Sequence, residues 1–327
     1  MPGLSEFELI DQFLKPLSAG APGAFLLSDD AAVLPYLQEG SVHVVTKDAL
    51  TIGVHMLADD PPADMARKAL RVNLSDLASM GATPVGFFMA LCLGVDTDES
   101  FLRSYTNGLA SDVAEFKVPL MGGDVIRQRG PFTVTITAIG VVQRTKLLRR
   151  SGAQPGDSLW VSGTIGDGAL GLLSARGEVG HLTQGHKSAL INRYQVPQPR
   201  FYLGQKLGDL ASACIDISDG LISDVGHLCA ASNVGCTIHA NQIPLSDAAR
   251  SCLLDKPSLL ENVLSGGDDY ELAFAVPPGK KTALKSLTVD KEITVSRIGE
   301  FTHSPDVLVL DEAGATIPIA QTGYRHN

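Results

Sequence analysis

Basic side chains are scarce: 26 Lys and Arg stand against 36 Asp and Glu, giving a formal net charge of −10. Affinity for a nucleic-acid backbone comes mostly from Lys and Arg, so this balance argues against a general nucleic-acid binder. It also means that any phosphate ligand must be neutralised by something other than bulk charge. Divalent cations held by carboxylates are the natural means. Cysteine is sparse as well. Cys92, Cys214, Cys229, Cys236 and Cys252 form an odd set with no C-x-x-C spacing, which argues against structural zinc and a disulfide framework. Free thiols in a reducing cytosol are expected. The N-terminus has no apolar leader segment, so a secretory signal is not expected. Long apolar runs are missing too. Val85 to Val95 falls far short of a span of ~20 residues, so no membrane role is expected. No H-E-x-x-H and no G-x-S-x-G is present, which removes the usual zinc-protease and serine-hydrolase readings.

What remains is a chain of 327 residues, 44% apolar, with material for about two domains. Its pattern is alternating strand and helix. Strands are predicted at 41–46, 85–93, 119–121 and 132–142, and helices at 63–80 and 99–115. A boundary is expected within 143–156, where a basic cluster precedes Pro155-Gly156. The second half offers strands at 158–162, 213–217, 235–239 and 272–276. Its helices start near Gly168 and run over 221–232 and 247–254. The fold class is therefore α/β or α+β, with an N-terminal domain over 1–146 and a C-terminal, mixed-sheet domain over 147–327.

The acids carry the chemistry. Asp48 follows the strand SVHVVT, Asp124 follows Gly122-Gly123, and Asp268 and Asp269 follow Gly266-Gly267. Asp216 and Asp219 sit in IDISDGL between a strand and a helix, and Asp29-Asp30 precede Ala31 to Leu34. Strand ends and strand-to-helix turns are where α/β proteins place ligand groups. Taken singly, each acid also reads as a helix cap or turn residue. Asp76 says more. On helix 63–80, Asn73 falls inside the apolar stripe and Asp76 beside it, where a carboxylate needs a partner. Arg67 or Arg71 would do, and so would a metal ion. Oxygen-rich Asp sites suit Mg²⁺, which bridges one or two carboxylates and substrate phosphates.

Two glycine-rich stretches point elsewhere. Gly166 to Gly171 matches G-x-G-x-x-G between a strand and a helix, yet the acid expected about 20 residues on is missing, so dinucleotide binding is set aside. In Gly180 to Ser188, His186 breaks the spacing of a phosphate loop.

Five separated motifs resemble the thiamine-monophosphate kinase family: NLSDLASMGATP from Asn73, MGGD from Met121, RSGAQPGD from Arg150, IDISDGLISDVGHL from Ile215 and SGGDDYEL from Ser265. Their order and spacing match over nearly the whole chain. The resemblance implies a two-domain subunit of the aminoimidazole-ribonucleotide-synthetase-like superfamily, forming a homodimer whose N-terminal domains join their sheets. It implies a cytoplasmic enzyme that uses ATP and several Mg²⁺ ions to phosphorylate thiamine monophosphate. Asp30, Thr46, Asp48, Asp76, Asp124, Asp216 and Asp219 would ligate magnesium. Gly123, Asp124, Arg150 and Ser218 would contact ATP, with Asp124, Asp216, Asp219 and Arg150 closest to the chemistry. His55, Asp268 and Tyr324 would face the thiamine substrate. The chain departs from the family pattern at Ser28, Lys47 and Asp268, and in GGDVIRQRG from Gly122. A magnesium-dependent phosphohydrolase, another ATP-using member of the superfamily and an inactive nucleotide-binding scaffold are the alternatives.

Overall fold

The computed structural model describes residues 6–287, 294–319 and Gly323. The chain divides into two compact units, one of residues 1–77 and 82–144 and the other of residues 78–81 and 145–327. Each unit carries its own sheet, so the architecture is mixed α/β.

The first unit begins with one helical turn, α1 (Glu6–Leu9), and then builds β1 (Ser41–Thr51), α2 (Pro62–Ser79), β2 (Thr83–Leu93), α3 (Glu99–Phe116), β3 (Leu120–Arg127) and β4 (Thr133–Gln143). The sheet order is β1-β4-β2-β3. β4 runs antiparallel to β1 and β2, and β2 runs parallel to β3. The sheet has one dry face. Along β4, Val134, Ile136 and Ala138 are buried, while Thr133, Thr135 and Thr137 between them stay partly exposed. α2 is buried over most of its length and puts Ala66, Ala69, Leu70 and Leu77 fully out of solvent. α3 starts at a capping Asp98, whose carboxylate accepts the Phe101 N–H at 2.8 Å, and stops where Lys117 turns left-handed.

β1 differs from the expectation. The predicted strand ends at Thr46, whereas β1 continues to Thr51 and holds Asp48 inside it rather than after it. The full register with β4, Ser41↔Gln143 to Thr51↔Thr133, explains the extension, because cross-strand pairing carries Lys47 and Asp48 along with it. β3 runs, as expected, from the Pro119–Met121 segment into Gly122-Gly123-Asp124, and it continues on to Arg127.

The second unit has a six-stranded sheet of order β10-β7-β9-β5-β8-β6. Its strands are β5 (Ser158–Ser162), β6 (Ala213–Asp216), β7 (Gly235–His239), β8 (Leu272–Val276), β9 (Val295–Thr302) and β10 (Val307–Leu310). Its helices are α4 (Asp167–Ala175), α5 (Gln184–Gln195), α6 (Phe201–Leu207), α7 (Leu221–Ser232), α8 (Asp247–Asp255), α9 (Leu260–Ser265) and α10 (Lys281–Leu287). Both sheet faces are covered. Leu159, Val161, Ile215 and Ala273 join one core cluster with Val225 and Leu228 of α7. Trp160, Cys214 and Phe274, one residue out of phase, join the other with Leu203 and Leu207 of α6. That two-sided burial explains why β5, β6 and β8 read as continuous apolar runs. All five cysteines are free, four of them buried. Among the described residues no helix is long and apolar enough to cross a membrane.

Candidate active site

In the first unit, three predicted residues come together. Thr46 and Asp48 lie two residues apart on β1, hence on one face, in the rows of Ala138 and Ile136 on the helix-covered side. Asp76 reaches them from α2, where its carboxylate accepts a short hydrogen bond from the Thr46 hydroxyl. Burial, and then the charge of Asp76, push the Asp48 carboxyl up to about 6. Arg67 and Arg71 are engaged at Asp112 of α3: Arg71 bonds it twice, at 2.6 and 2.8 Å, and Arg67 at 3.1 Å. Arg71 also reaches Glu115 at 2.9 Å. Both arginines thus pair with the buried Asp112.

Asp30 lies in an exposed bend before β1. Asp124 sits exposed on β3, at the other edge of the sheet from β1, and binds the Val125 N–H with its own carboxylate. Three strand spacings of ~4.8 Å put its backbone about 14 Å from that of Asp48. Among the described residues no three acidic, histidine or cysteine side chains converge to cage a metal, so Asp30 and Asp124 do not join the Asp48–Asp76 pair in such a group. The pair nevertheless fits magnesium. Two crowded carboxylates and a hydroxyl are hard oxygen donors, and Mg²⁺ takes one or two carboxylates while completing its shell with water and phosphate. The buried Oδ1 of Asn73, one turn back on α2, accepts no hydrogen bond, while its Nδ2 donates to the Ala69 carbonyl. His55, half-buried after β1, accepts the Thr51 N–H at Nδ1, 3.3 Å away.

In the second unit, IDISDGL and SGGDDYEL lie against each other. Asp216 ends β6, and Ser218 and Asp219 follow in a turn to α7. The backbone of Asp268 and Tyr270 donates to the carbonyls of Ser218 and Ile217 at 2.9 and 2.8 Å, and Ile217 donates to Glu271 at 2.8 Å. Gly220 (φ 122°) makes the closeness achievable, since a Cβ there would stand 2.6 Å from the Ser265 carbonyl oxygen. Asp268 and Tyr270 themselves adopt left-handed φ of 70° and 51°. Such a conformation persists where its surroundings over-determine it.

The surroundings are three buried acids that motif reading did not assign. Asp224, in the first turn of α7, accepts the N–H groups of Ser218, Asp219 and Gly220 on one oxygen. Asp269 accepts the N–H groups of Gly166 and Gly168 at 2.7 and 2.9 Å. Burial raises each to about 7, against the downward pull of those N–H bonds. The glycine-rich turn that resembled a dinucleotide fingerprint thus holds a carboxylate of the chain itself. Glu271 is fully buried between Arg193, at 2.9 Å, and Arg200, at 2.5 and 2.7 Å, and accepts the Ser162 hydroxyl. Asp224 was findable by the argument that singled out Asp76, because it falls among Leu221, Val225 and Leu228 on the buried face of α7. Arg150 lies on an exposed loop latched to the end of α7 through Ser232, whose hydroxyl donates to the Arg150 carbonyl at 3.1 Å. Tyr324 lies outside the described residues.

Comparison with known proteins decides the family. AIR synthase related protein, N-terminal domain, matches residues 28–142, and AIR synthase related protein, C-terminal domain, matches residues 154–311. The thiamine-monophosphate kinase of Caulobacter vibrioides is 39% identical over 98% of this chain and 91% of its own. The chain belongs to the thiamine-monophosphate kinase family. Among solved structures, the thiamine-monophosphate kinase of Stenotrophomonas maltophilia superposes with a TM-score of 0.80 at 38% identity, covering 86% of this chain and 89% of that one. AaThiL complexed with AMPPCP and TMP superposes with a TM-score of 0.78 at 29% identity, over 99% and 97% of the two chains. The predicted site residues are divided between the units, with Thr46, Asp48 and Asp76 in the first and Asp216, Ser218 and Asp219 in the second.

Proposed function

We propose that the chain transfers the γ-phosphoryl group of ATP to thiamine monophosphate, giving ADP and thiamine diphosphate. The observation that carries this is the pairing of family membership with crowded, half-buried carboxylates at motif positions, above all Asp48 beside Asp76. A relative holding an ATP analogue and TMP supports both substrates.

Asp30, Thr46, Asp48, Asp76, Asp124, Asp216 and Asp219 would hold magnesium. Bound magnesium supplies charge neutralisation between two anionic substrates. Gly123, Asp124, Arg150 and Ser218 bind and orient the nucleotide, and Arg150 adds a fixed positive charge. His55, Asp268 and Tyr324 face the thiamine part, where an acid and an aromatic ring match a cationic heterocycle. The acceptor is a phosphate monoester with a second pKa of about 6, so it is largely a dianion near neutral pH and needs no protein base. That agrees with a site built of acids and backbone rather than a His or Cys nucleophile. Transfer is direct, without a phosphoenzyme.

The chain acts as a homodimer joined through the first unit's sheet. Val45 and Ile126, 60% and 49% exposed on the face turned away from Asp48, support this. A cytoplasmic location fits five free thiols. The two units act as the N- and C-terminal domains, and each carries part of the predicted set of nucleotide and substrate residues. The test is product analysis with purified protein, ATP, Mg²⁺ and thiamine monophosphate. Equal amounts of ADP and thiamine diphosphate are expected. Release of inorganic phosphate without thiamine diphosphate overturns the kinase reading for a hydrolase, and nucleotide binding without turnover overturns it for a scaffold.

A further inference from the structure

Asp224 is not among the residues proposed to meet a ligand, yet it is 3% exposed and its carboxylate holds the Ser218–Gly220 turn. A single carboxylate oxygen gathers three consecutive N–H groups at 3.0, 3.0 and 3.1 Å. Three successive amides pointing inward form a nest that otherwise attracts an external anion. Here the anion is built in. With their N–H groups turned toward Asp224, the peptide planes of the turn have a fixed orientation. The carbonyls of Ile217 and Ser218 are fixed from the other side by Tyr270 and Asp268.

We propose that Asp224 is a positioning residue of the phosphoryl transfer, its carboxylate clamping the amides of Ser218, Asp219 and Gly220 so that Asp216, Ser218 and Asp219 are presented in ligand-binding geometry before any ligand arrives. This rests on the reading that those three residues serve magnesium and ATP. Asp224 lies near enough to Asp219 for the two negative charges to repel, so the clamp is held against that repulsion.

The inference is tested with D224A and D224N in the full chain, by amide hydrogen exchange on metal-free protein and by magnesium and ATP dependence of turnover. In D224A, exchange at residues 218–220 speeds at least tenfold while β8 stays protected, and the Mg²⁺ concentration for half-maximal rate rises about tenfold. D224N keeps an oxygen that accepts the same amides, so it stays within about threefold of the parent in both measurements. Unchanged exchange at 218–220 in D224A overturns the clamp. D224N as impaired as D224A overturns it in favour of a direct metal ligand, for which an amide oxygen is a poor substitute. Loss of β8 protection in D224A leaves D224N to decide, by the same threefold limit. Full turnover in D216N would refute the underlying site reading instead, while the exchange measurements would still judge the clamp.

Discussion

Asp48→Asn should make the metal-free protein more stable and the enzyme inactive. In the folded chain the Asp48 carboxyl is raised from 3.8 to about 6 by burial and by Asp76. An upward shift of that size is worth roughly 3 kcal/mol against the ionised form. The stability linked to this group is fully present below its ordinary range near 3.8 and is lost as pH rises through about 6. At pH 8 the parent therefore carries the whole penalty. Asparagine removes the charge but keeps a partly buried amide, whose desolvation returns about 1 kcal/mol, leaving a gain of about 2 kcal/mol. Urea unfolding without magnesium at pH 8 should show that gain, and at pH 4.5 it should shrink toward zero. Adding Mg²⁺ should stabilise the parent more than the variant, and turnover of the variant should fall at least about 100-fold. A metal-free variant less stable than the parent at pH 8 would show that Asp48 is a satisfied structural acid. Near-parental turnover would remove it from the catalytic apparatus.

Glu271→Gln strips the fully buried negative charge that holds Arg193 and Arg200 and should cost about 3 kcal/mol in urea unfolding. A loss below 1 kcal/mol would mean that the arginines find solvent at little cost. Gly123→Ala puts a Cβ 1.8 Å from the Met89 carbonyl oxygen, so β3 must shift from β2. The expected result is a KM for ATP raised about tenfold or more, and an unchanged KM would separate Gly123 from the nucleotide. Asp269, raised to about 7 by burial, adds stability that is present at low pH and lost as pH rises through about 7. The melting temperature of the metal-free protein should therefore fall between pH 6 and 8, and Asp269→Asn should flatten that fall. Equal slopes in the two proteins would refute the assignment.

Much of the fold was legible because burial is written into composition. β5, β6 and β8 are covered on both faces and read as apolar runs, and α2 and α3 announce themselves by Pro62, Asp98 and Gly81. β9 was missed. Ser296 and Arg297 interrupt its pattern, and the register slips against β5 between Leu159 and Trp160, so no clean alternation exists to be read. α6 is seven residues long, with Pro197 and Pro199 just before it, too short for a helical period to show. At the site, motif positions were legible but their neighbours were not. Thr46, Asp48 and Asp76 meet through a strand register and a helix face thirty residues apart. The buried acids Asp224, Asp269 and Glu271 bind backbone or arginine, partners that only folding names.

The backbone seam between residues 217–218 and 268–271 makes two loops into one lever. Under the proposed assignment of the nucleotide to the aspartate turn and of the acceptor to Asp268, a ligand at either one would load the carbonyls and amides that the other depends on. Binding energies linked in this way are reciprocal. Whatever factor the nucleotide adds to the affinity for the acceptor, the acceptor returns to the nucleotide.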